Sequence, residues 1–257
     1  MENYTEINAK TVDKWVEDGW EWGIPVSKET CEKARNGEWD VVLTPTIPVP
    51  HEWFPTMKGA DLLGLASGGG QQMPVFAILG ASCTVMDLSD KQLESEKIVS
   101  DREGYDINIV KADMTKKLPF EDNSFDVIFH PVSNCYVEDV YHVWNECYRV
   151  LRPGGVLLAG MDNGFNFLFD RYEAPLMVTN KLPFNPLKNP EQMEKLMKDG
   201  DGVQFSHTFD EQIGGQIKAG FIIAGAYEDY NSDPSISVDG ADGIPAFWAT
   251  KAVKPQT

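Results

Sequence analysis

The stretch at residues 61–72 reads DLLGLASGGGQQ. It opens with an apolar run too short for a helix, and the run ends in consecutive glycines. The overlapping segment QQMPVFAILG reads as a helix, because Pro74 falls in its first turn, where backbone donors lack intrahelical partners. The stretch therefore predicts a buried strand, a glycine-rich turn and a helix in succession.

The same alternation continues beyond this stretch. Further strands are predicted at CTVMDLS (83–89), INIVKADM (107–114), FDVIFHP (125–131) and VLLAGM (156–161). A helix is predicted over 89–104, where Ser89 or Asp90 can cap the first turn and Gly104 can end the last. Such alternation is typical of a parallel sheet covered by helices on both faces.

The second half of the chain continues and then closes the sheet. Apolar residues at the spacing of one helix face predict a further helix; they are Val140, Val143, Trp144, Cys147 and Leu151. A short helix around 210–220 leads into FIIAGAYEDY (221–230), and PAFWATKAV (245–253) follows a polar loop. Because no helix separates these two strands, we expect an antiparallel hairpin at the sheet edge.

Two segments do not follow this alternation of strands and helices. Residues 1–57 form a predicted N-terminal cap or extension, with five tryptophans and the proline-punctuated stretch LTPTIPVPHEWFP, which favours extended chain. Residues 58–257 form the main domain, with an insertion at about 163–208 that is rich in aromatics and prolines. We expect the extension and the insertion to cover the crevice of the sheet.

Charge and composition exclude several classes of protein. The formal net charge is -18, with 40 acidic and 22 basic residues and no lysine- or arginine-rich tract, so the phosphate backbone of a nucleic acid would be repelled. No apolar run approaches the ~20 residues of a membrane span. The polar N-terminus lacks a hydrophobic signal core, and the four scattered cysteines lack metal-ligand spacing. We therefore expect a cytoplasmic protein with reduced thiols, no metal, and no nucleic-acid or membrane partner.

The glycine-rich turn is the first candidate binding element. Gly64, Ala66 and Gly68 lie at the end of the first strand, where glycine lets backbone amides approach a ligand closely. The helix N-terminus that follows suits a carboxylate or a phosphate. A purely structural glycine loop is the alternative, and the spacing does not match the dinucleotide pattern G-x-G-x-x-G.

Acidic residues close the next two strands. Asp87 ends the second strand, where its carboxylate could accept hydrogen bonds from both ribose hydroxyls of an adenosine, or could cap the following helix. Ser89 and Gln92 follow closely enough to add polar contacts. Asp113 ends the third strand and could bind the exocyclic amine of an adenine, or could be a solvated loop acid. The order of these residues favours an adenosine site.

The end of the fourth strand supplies His130 and Pro131, at the edge where an open α/β sheet has its crevice. The histidine could contact a substrate, act as a base or be a packed polar residue. Contact is the interpretation that we favour.

These motifs together resemble one known family. In order along the chain they are DLLGLASGGGQQ, VMDLS, ADM, LPFEDNSFDVIF and RVLRPGG, and the terminal AFWATKAVK resembles the family's last strand. The set is similar to that of class I S-adenosylmethionine-dependent methyltransferases of the small-molecule, methyltransferase-11-like type. This resemblance implies an α/β fold with a Rossmann-like, seven-stranded, mostly parallel sheet, helices on both faces and an antiparallel last strand.

The resemblance also assigns roles to residues. It places Gly64, Ala66 and Gly68 around the methionine moiety, Asp87 at the ribose and Asp113 at the adenine of S-adenosyl-L-methionine. The full set of predicted cofactor-binding residues is Gly64, Ala66, Ser67, Gly68, Gln71, Asp87, Leu88, Ser89, Gln92, Ala112, Asp113, Met114, His130 and Pro131.

Two features depart from the family pattern. Ala66 stands where the middle glycine of the loop is usual, so close approach of the backbone requires that this position need no positive φ. The segment HPVSNCYVED (130–139) matches no general catalytic motif. The catalytic residue therefore stays unknown, with His130 as the first candidate base and Tyr136 as the second.

The expected function is transfer of a methyl group to a small-molecule acceptor by direct displacement, aligned by the protein. Two alternatives share the same residues: an NAD-dependent oxidoreductase, and a non-catalytic sensor or interaction module that keeps the cofactor pocket. The acceptor and the oligomeric state are not determined by the sequence.

Overall fold

The computed structural model describes residues 3–170, 177–231 and 243–256. The strands are β1 (Asp61–Leu65), β2 (Ser82–Asp87), β3 (Asn108–Lys111), β4 (Phe125–His130), β5 (Leu151–Asp162), β6 (Ile222–Asp229) and β7 (Phe247–Val253). The helices are α1 (Tyr4–Glu17), α2 (Lys28–Arg35), α3 (Met73–Ile78), α4 (Asp90–Glu103), α5 (Val140–Val150), α6 (Pro190–Asp199) and α7 (Gly215–Ala219).

All seven strands form one sheet in the order β3-β2-β1-β4-β5-β7-β6. The pairs from β3 to β5 are parallel, and β7 runs antiparallel to both β5 and β6. The predicted fold class, including the antiparallel last strand and the terminal hairpin, is therefore confirmed. Most of the polar loop within that hairpin lies outside the described residues.

The residues predicted to begin and end two of the helices occupy those positions in the structure. Ser89 caps α4 by accepting the amide N–H of Gln92, and Gly104 ends the helix with a φ of 74°. Pro74 lies in the first turn of α3, which spans only six residues. These caps fix where each helix leaves the sheet.

Each face of the sheet is covered by its own apolar core. One core joins β1, β2 and β4 to α3 and to the N-terminal extension, with Leu62, Phe76 and Phe129 fully buried. The other joins the opposite side of the sheet to α5, where Val143, Trp144 and Cys147 form the predicted stripe. The carboxyl ends of the strands are left as the open edge between these cores.

The N-terminal extension is more regular than its prolines predict. It holds α1 and α2, which the sequence analysis did not predict, although Asn3 caps α1 and Ser27 caps α2. The proline-rich part is extended, as predicted, with an isolated bridge between Val42 and Pro48. The domain boundaries at 57 and 163–208 remain predictions. No described helix is long and apolar enough to cross a bilayer.

Candidate functional site

A cavity of about 300 Å³ lies at the carboxyl ends of the central strands. We call one side of it the strand-end wall, formed by Ala66, Ser67, Gly68, Gln71, Gln72, Met86, Asp87, Leu88, Ser89, Gln92, Ala112, Asp113, Met114, Thr115, Pro131, Val132, Ser133, Cys135, Tyr136, Val137 and Phe247. The other side is the cap wall, formed by Thr5, Asn8, Ala9, Val12, Trp20, Trp22, Val42, Leu43, Thr44 and Pro45. Parallel strands bring residues distant in sequence to this one edge.

The glycine turn has a left-handed backbone that starts at an alanine. Ala66 has a φ of 46°, and Gly69 and Gly70 have φ values of 98° and 68°. The condition set for close approach of the backbone, that Ala66 need no positive φ, is therefore not met. Its N–H donates to the carbonyl of Met86, 2.8 Å away, so the contact between β1 and β2 holds this strained position in place.

Gly69 lies where the turn meets the N-terminal extension. A Cβ on Gly69 would lie 2.4 Å from the carbonyl oxygen of Trp22 and 2.7 Å from Oε1 of Gln92. The side chain of Gln71 donates to the carbonyls of Glu21 and Ile24. These contacts fasten the extension directly to the turn.

Asp87 closes β2 beneath the turn. Its two carboxylate oxygens accept the backbone N–H of Gly68 at 3.1 Å and of Ser89 at 3.0 Å. Burial raises the pKa of this carboxyl, and the backbone donors partly offset the rise. The carboxylate is thus oriented by two backbone donors, and each oxygen keeps lone-pair capacity for a ligand.

Glu96 on α4 is a buried acid that the sequence analysis missed. It is 0% exposed, and its Oε1 accepts the N–H of Gly70 at 2.8 Å, while Oε2 has no hydrogen-bond partner among the described residues. Burial raises the pKa of this carboxyl to about 8. Glu96 therefore holds the far end of the glycine turn as a neutral acid at pH 7.

Asp113 follows β3 and closes the same edge. One of its oxygens accepts the N–H of Thr115 at 2.8 Å, which forms a tight turn. Ala112 and Met114 flank it on the cavity wall. The predicted acid and its two apolar neighbours therefore do lie together on one wall.

Two of the predicted residues do not reach the cavity. Gly64 packs against Met73, whose sulfur would lie 2.6 Å from a Cβ at that position. His130 is 0% exposed, with Nδ1 2.8 Å from the carbonyl oxygen of Leu65 and Nε2 2.9 Å from Oδ1 of Asn134. Burial lowers its pKa, and these bonds only partly oppose that. The structure places this histidine behind the wall.

Tyr136, by contrast, lies on the cavity wall beside Cys135. Its ring contacts Trp15 with a centroid separation of 6.4 Å. Burial raises the pKa of both the Tyr136 hydroxyl and the Cys135 thiol, so both stay protonated at neutral pH. Tyr136 can therefore donate a hydrogen bond, but it is a poor general base.

Helix α1 forms part of the cap wall and covers the cavity on the side opposite the strand ends. Thr5, Asn8, Ala9 and Val12 recur at the spacing of one helix face and point to the cavity. Near its end, Asp13 accepts the hydroxyl of Ser89 at 2.6 Å and so fastens α1 to the start of α4.

The insertion holds the opposite end of α1. The Asn8 amide donates to the carbonyl of Val203 at 2.9 Å and accepts its N–H at 2.6 Å. Tyr4 packs edge-on against Phe205 with a centroid separation of 5.3 Å. Residues 163–170 and 177–208 contribute no side chain to the cavity wall, so the described insertion supports α1 rather than covering the crevice itself.

The extended segment 41–47 completes the cap wall. The carbonyl of Leu43 accepts the N–H of Val132 at 3.1 Å, just after β4. Thr46 and Ile47 then donate backbone N–H groups to Asp229 at 2.8 and 3.1 Å, at the end of β6. The segment is therefore anchored at both ends across the mouth of the cavity.

Comparison with known proteins identifies the family. Residues 63–159 match the family model described as a methyltransferase domain. The chain is 45% identical over 227 residues to the uncharacterized methyltransferase YbaJ of Bacillus subtilis, with 86% of this chain and 89% of that protein covered. The chain belongs to the S-adenosylmethionine-dependent methyltransferases. This membership decides against the oxidoreductase alternative.

A solved structure agrees at the level of the fold, and a more distant sequence relative is also a methyltransferase. An S-adenosylmethionine-dependent methyltransferase from Mesorhizobium loti superposes with a TM-score of 0.62 at 22% identity, over 79% of this chain and 94% of that one. A sterol 24-C-methyltransferase from Pneumocystis carinii is 25% identical over 81% of this chain. This chain spans about half of that fungal protein, 52% of its length.

The cavity fits the methyltransferase cofactor. S-adenosylmethionine carries a ribose, an adenine and a cationic sulfonium, and the strand-end wall offers the oriented carboxylate of Asp87 and the acid Asp113. No lysine, arginine or histidine lies among the described residues of either wall. Nor do the described residues of this methyltransferase include a cluster of three acidic, histidine or cysteine side chains suited to a metal ion.

Several residues that line the cavity were not predicted from the sequence. On the strand-end side they are Gln72, Met86, Thr115, Val132, Ser133, Cys135, Val137 and Phe247, together with all ten residues of the cap wall. Most of the strand-end residues missed are direct neighbours of predicted ones, so strand ends could have suggested them. The face of α1 could have been suggested by the Asn3 cap and the spacing of Thr5, Asn8 and Val12.

Proposed function

We propose that this methyltransferase acts on a small-molecule acceptor enclosed between the strand-end wall and the cap wall. One observation carries the proposal: a single cavity touches the ends of β1, β2 and β3 and also the inward face of α1. The phosphate backbone of a nucleic acid would instead be repelled by a protein of net charge -18.

The residues have distinct proposed roles. We propose that Asp87 accepts the ribose hydroxyls, that Ala112, Asp113 and Met114 bind the adenine, and that the glycine turn surrounds the methionine moiety. S-adenosylmethionine, when bound, supplies a methyl group that is already activated for transfer. The protein then contributes mainly alignment of the acceptor for direct displacement, worth up to ~7–11 kcal/mol in favourable cases.

Two predicted candidates for a base have weaker support than the binding residues. His130 lies behind the wall, so we propose that it orients Asn134 and the end of β4 rather than touching the acceptor. We propose that Tyr136 donates a hydrogen bond to the acceptor or the cofactor. The four cysteines are unpaired thiols, which supports the proposal of a cytoplasmic protein.

The test is titration with S-adenosylhomocysteine, the product form of the cofactor, by calorimetry. Asp87→Ala is expected to weaken binding about 100-fold, because each hydrogen bond to a charged group contributes about 1.5–3 kcal/mol. Asp90→Ala is the matched control, since this neighbouring acid lies outside the cavity and pairs with Lys111 at 2.6 Å; its affinity should stay within twofold.

Unchanged affinity of the Asp87 variant would reject the assignment of the ribose site. Transfer of a labelled methyl group to any member of a small-molecule panel then separates the enzyme from the non-catalytic alternative. Binding without transfer across a broad panel would favour the sensor.

A further inference from the structure

The cap wall differs from the rest of the molecule in its charge. Charged residues make up 24% of the chain, yet none of the ten described cap-wall residues carries a formal charge. On α1 the charged side chains, among them Glu6, Asp13 and Lys14, lie off the face that lines the cavity. Because the cavity-facing side of this otherwise charged helix carries no charge, it is suited to contact an uncharged group.

Two polar groups of this wall are already hydrogen-bonded within the protein. The amide of Asn8 is used on both its atoms by the backbone of Val203. The carbonyl of Trp22 lies 3.4 Å from the side-chain amide of Gln92 and accepts its hydrogen bond. The rest of the wall is mainly apolar surface, with hydroxyls at Thr5 and Thr44 and the indole rings of Trp20 and Trp22.

The facing part of the strand-end wall is neutral as well. Cys135 and Tyr136 stay protonated because burial raises the pKa of each. The carboxylates of this wall, Asp87 and Asp113, are the residues that the proposed function assigns to the cofactor. An anionic acceptor would face these acids without a basic partner. A cationic acceptor would find no further carboxylate among the described residues of either wall once the cofactor occupies these two.

We infer that the acceptor of this methyltransferase is an uncharged, largely apolar molecule held against the cap wall. Moving a charged group out of water without a counter-ion costs several kcal/mol, whereas an apolar group gains from burial. The inference rests on the proposed function, because it assigns the second occupant of the same cavity.

The experiment uses the full chain saturated with S-adenosylhomocysteine, after that binding has been measured by calorimetry. Matched fragments on several aryl and alkyl scaffolds, each as an alcohol, a carboxylate and an ammonium, are titrated at pH 7 and followed by ligand-observed NMR. The alcohols are expected to bind at least tenfold more tightly than their charged counterparts.

A charged residue introduced into the cap wall tests whether the acceptor binds there. Val12→Lys is expected to weaken binding of the alcohols about tenfold and to strengthen binding of the carboxylates. Glu6→Gln makes the same +1 change in net charge on an exposed position of the same helix, and should alter neither.

Several outcomes would overturn the inference. They are charged fragments binding as tightly as the alcohols, no alcohol binding at all, or a Val12→Lys variant that behaves like Glu6→Gln. Failure of S-adenosylhomocysteine itself to bind would instead reject the proposed function, and the preliminary calorimetry detects that separately.

Discussion

The two walls of the cavity are built on different principles. The strand-end wall uses backbone geometry and buried acids, with a turn at positive φ and the carboxylates of Asp87 and Glu96 accepting its N–H groups. The cap wall uses uncharged side chains on a helix and an extended segment, anchored by Asn8, Asp13 and Leu43. Under the proposed function, the strand-end wall binds the cofactor and the cap wall selects the acceptor.

The largest effect is expected where the two walls meet. Gly69→Ala requires an L residue at a φ of 98° and puts its Cβ 2.4 Å from the backbone oxygen of Trp22. We expect a loss of about 3 kcal/mol in the free energy of unfolding, measured with urea. Gly37→Ala is the control, since Gly37 has a φ of 86° but open space around it, and should lose only about 1 kcal/mol. Equal losses would show that the walls are not tightly joined there.

The next prediction concerns the anchor of α1. Asn8→Ala removes both hydrogen bonds to Val203, which is 0% exposed, and leaves its backbone groups without partners. The expected cost is about 2–3 kcal/mol in the free energy of unfolding. Glu6→Ala, an exposed position on the same helix, should stay within about 0.5 kcal/mol. If Asn8→Ala matched Glu6→Ala, α1 would not depend on the insertion.

Both predictions concern contacts between distant segments, which could not be predicted from the sequence. The succession of strands along the chain and the acids at their ends were predictable, because apolar runs, helix caps and strand-terminal acids are local signals. The cap wall was not, because it depends on how α1 docks against Ser89 and Val203, far apart in sequence. Similarly, Glu96 reads as one more acid on a charged helix until Gly70 is seen to bind it.

Glu96 gives the strand-end wall a pH dependence. Its folded pKa of about 8 lies above the unfolded value, so between those values the folded state holds a proton that the unfolded state releases. This group therefore makes stability fall as pH rises, by up to about 1.4 kcal/mol per unit, and the fall levels off above pH 8. From pH 6 to 8 the loss should be about 2 kcal/mol.

The measurement is urea unfolding of wild type and Glu96→Gln at several pH values. Because burial also raises the pKa of Asp162, to about 7, only the difference between the two proteins isolates Glu96. Glu94→Gln, on the exposed side of α4, is the control and should run parallel to wild type. A Glu96→Gln curve parallel to wild type would mean that this carboxyl is ionised in the folded state.

The smallest effect is expected at Ala66. Ala66→Gly relieves an L residue at a φ of 46°, but adds freedom to the unfolded chain, so the net gain should be below about 1 kcal/mol. Ala77→Gly, within α3, should instead lose about 1 kcal/mol. Thermal unfolding of the two variants decides the sign, and destabilisation by Ala66→Gly would show that the relief of strain is smaller than the combined loss of methyl packing and gain in chain freedom.

A crystal structure of the protein with S-adenosylhomocysteine tests directly where the cofactor binds. We predict that the ribose hydroxyls bind the carboxylate of Asp87, that the adenine lies between Ala112 and Met114, and that the α1 face from Thr5 to Val12 covers the ligand. A ligand bound elsewhere, or one that reaches Asp87 only with α1 displaced from Ser89 and Val203, would contradict it.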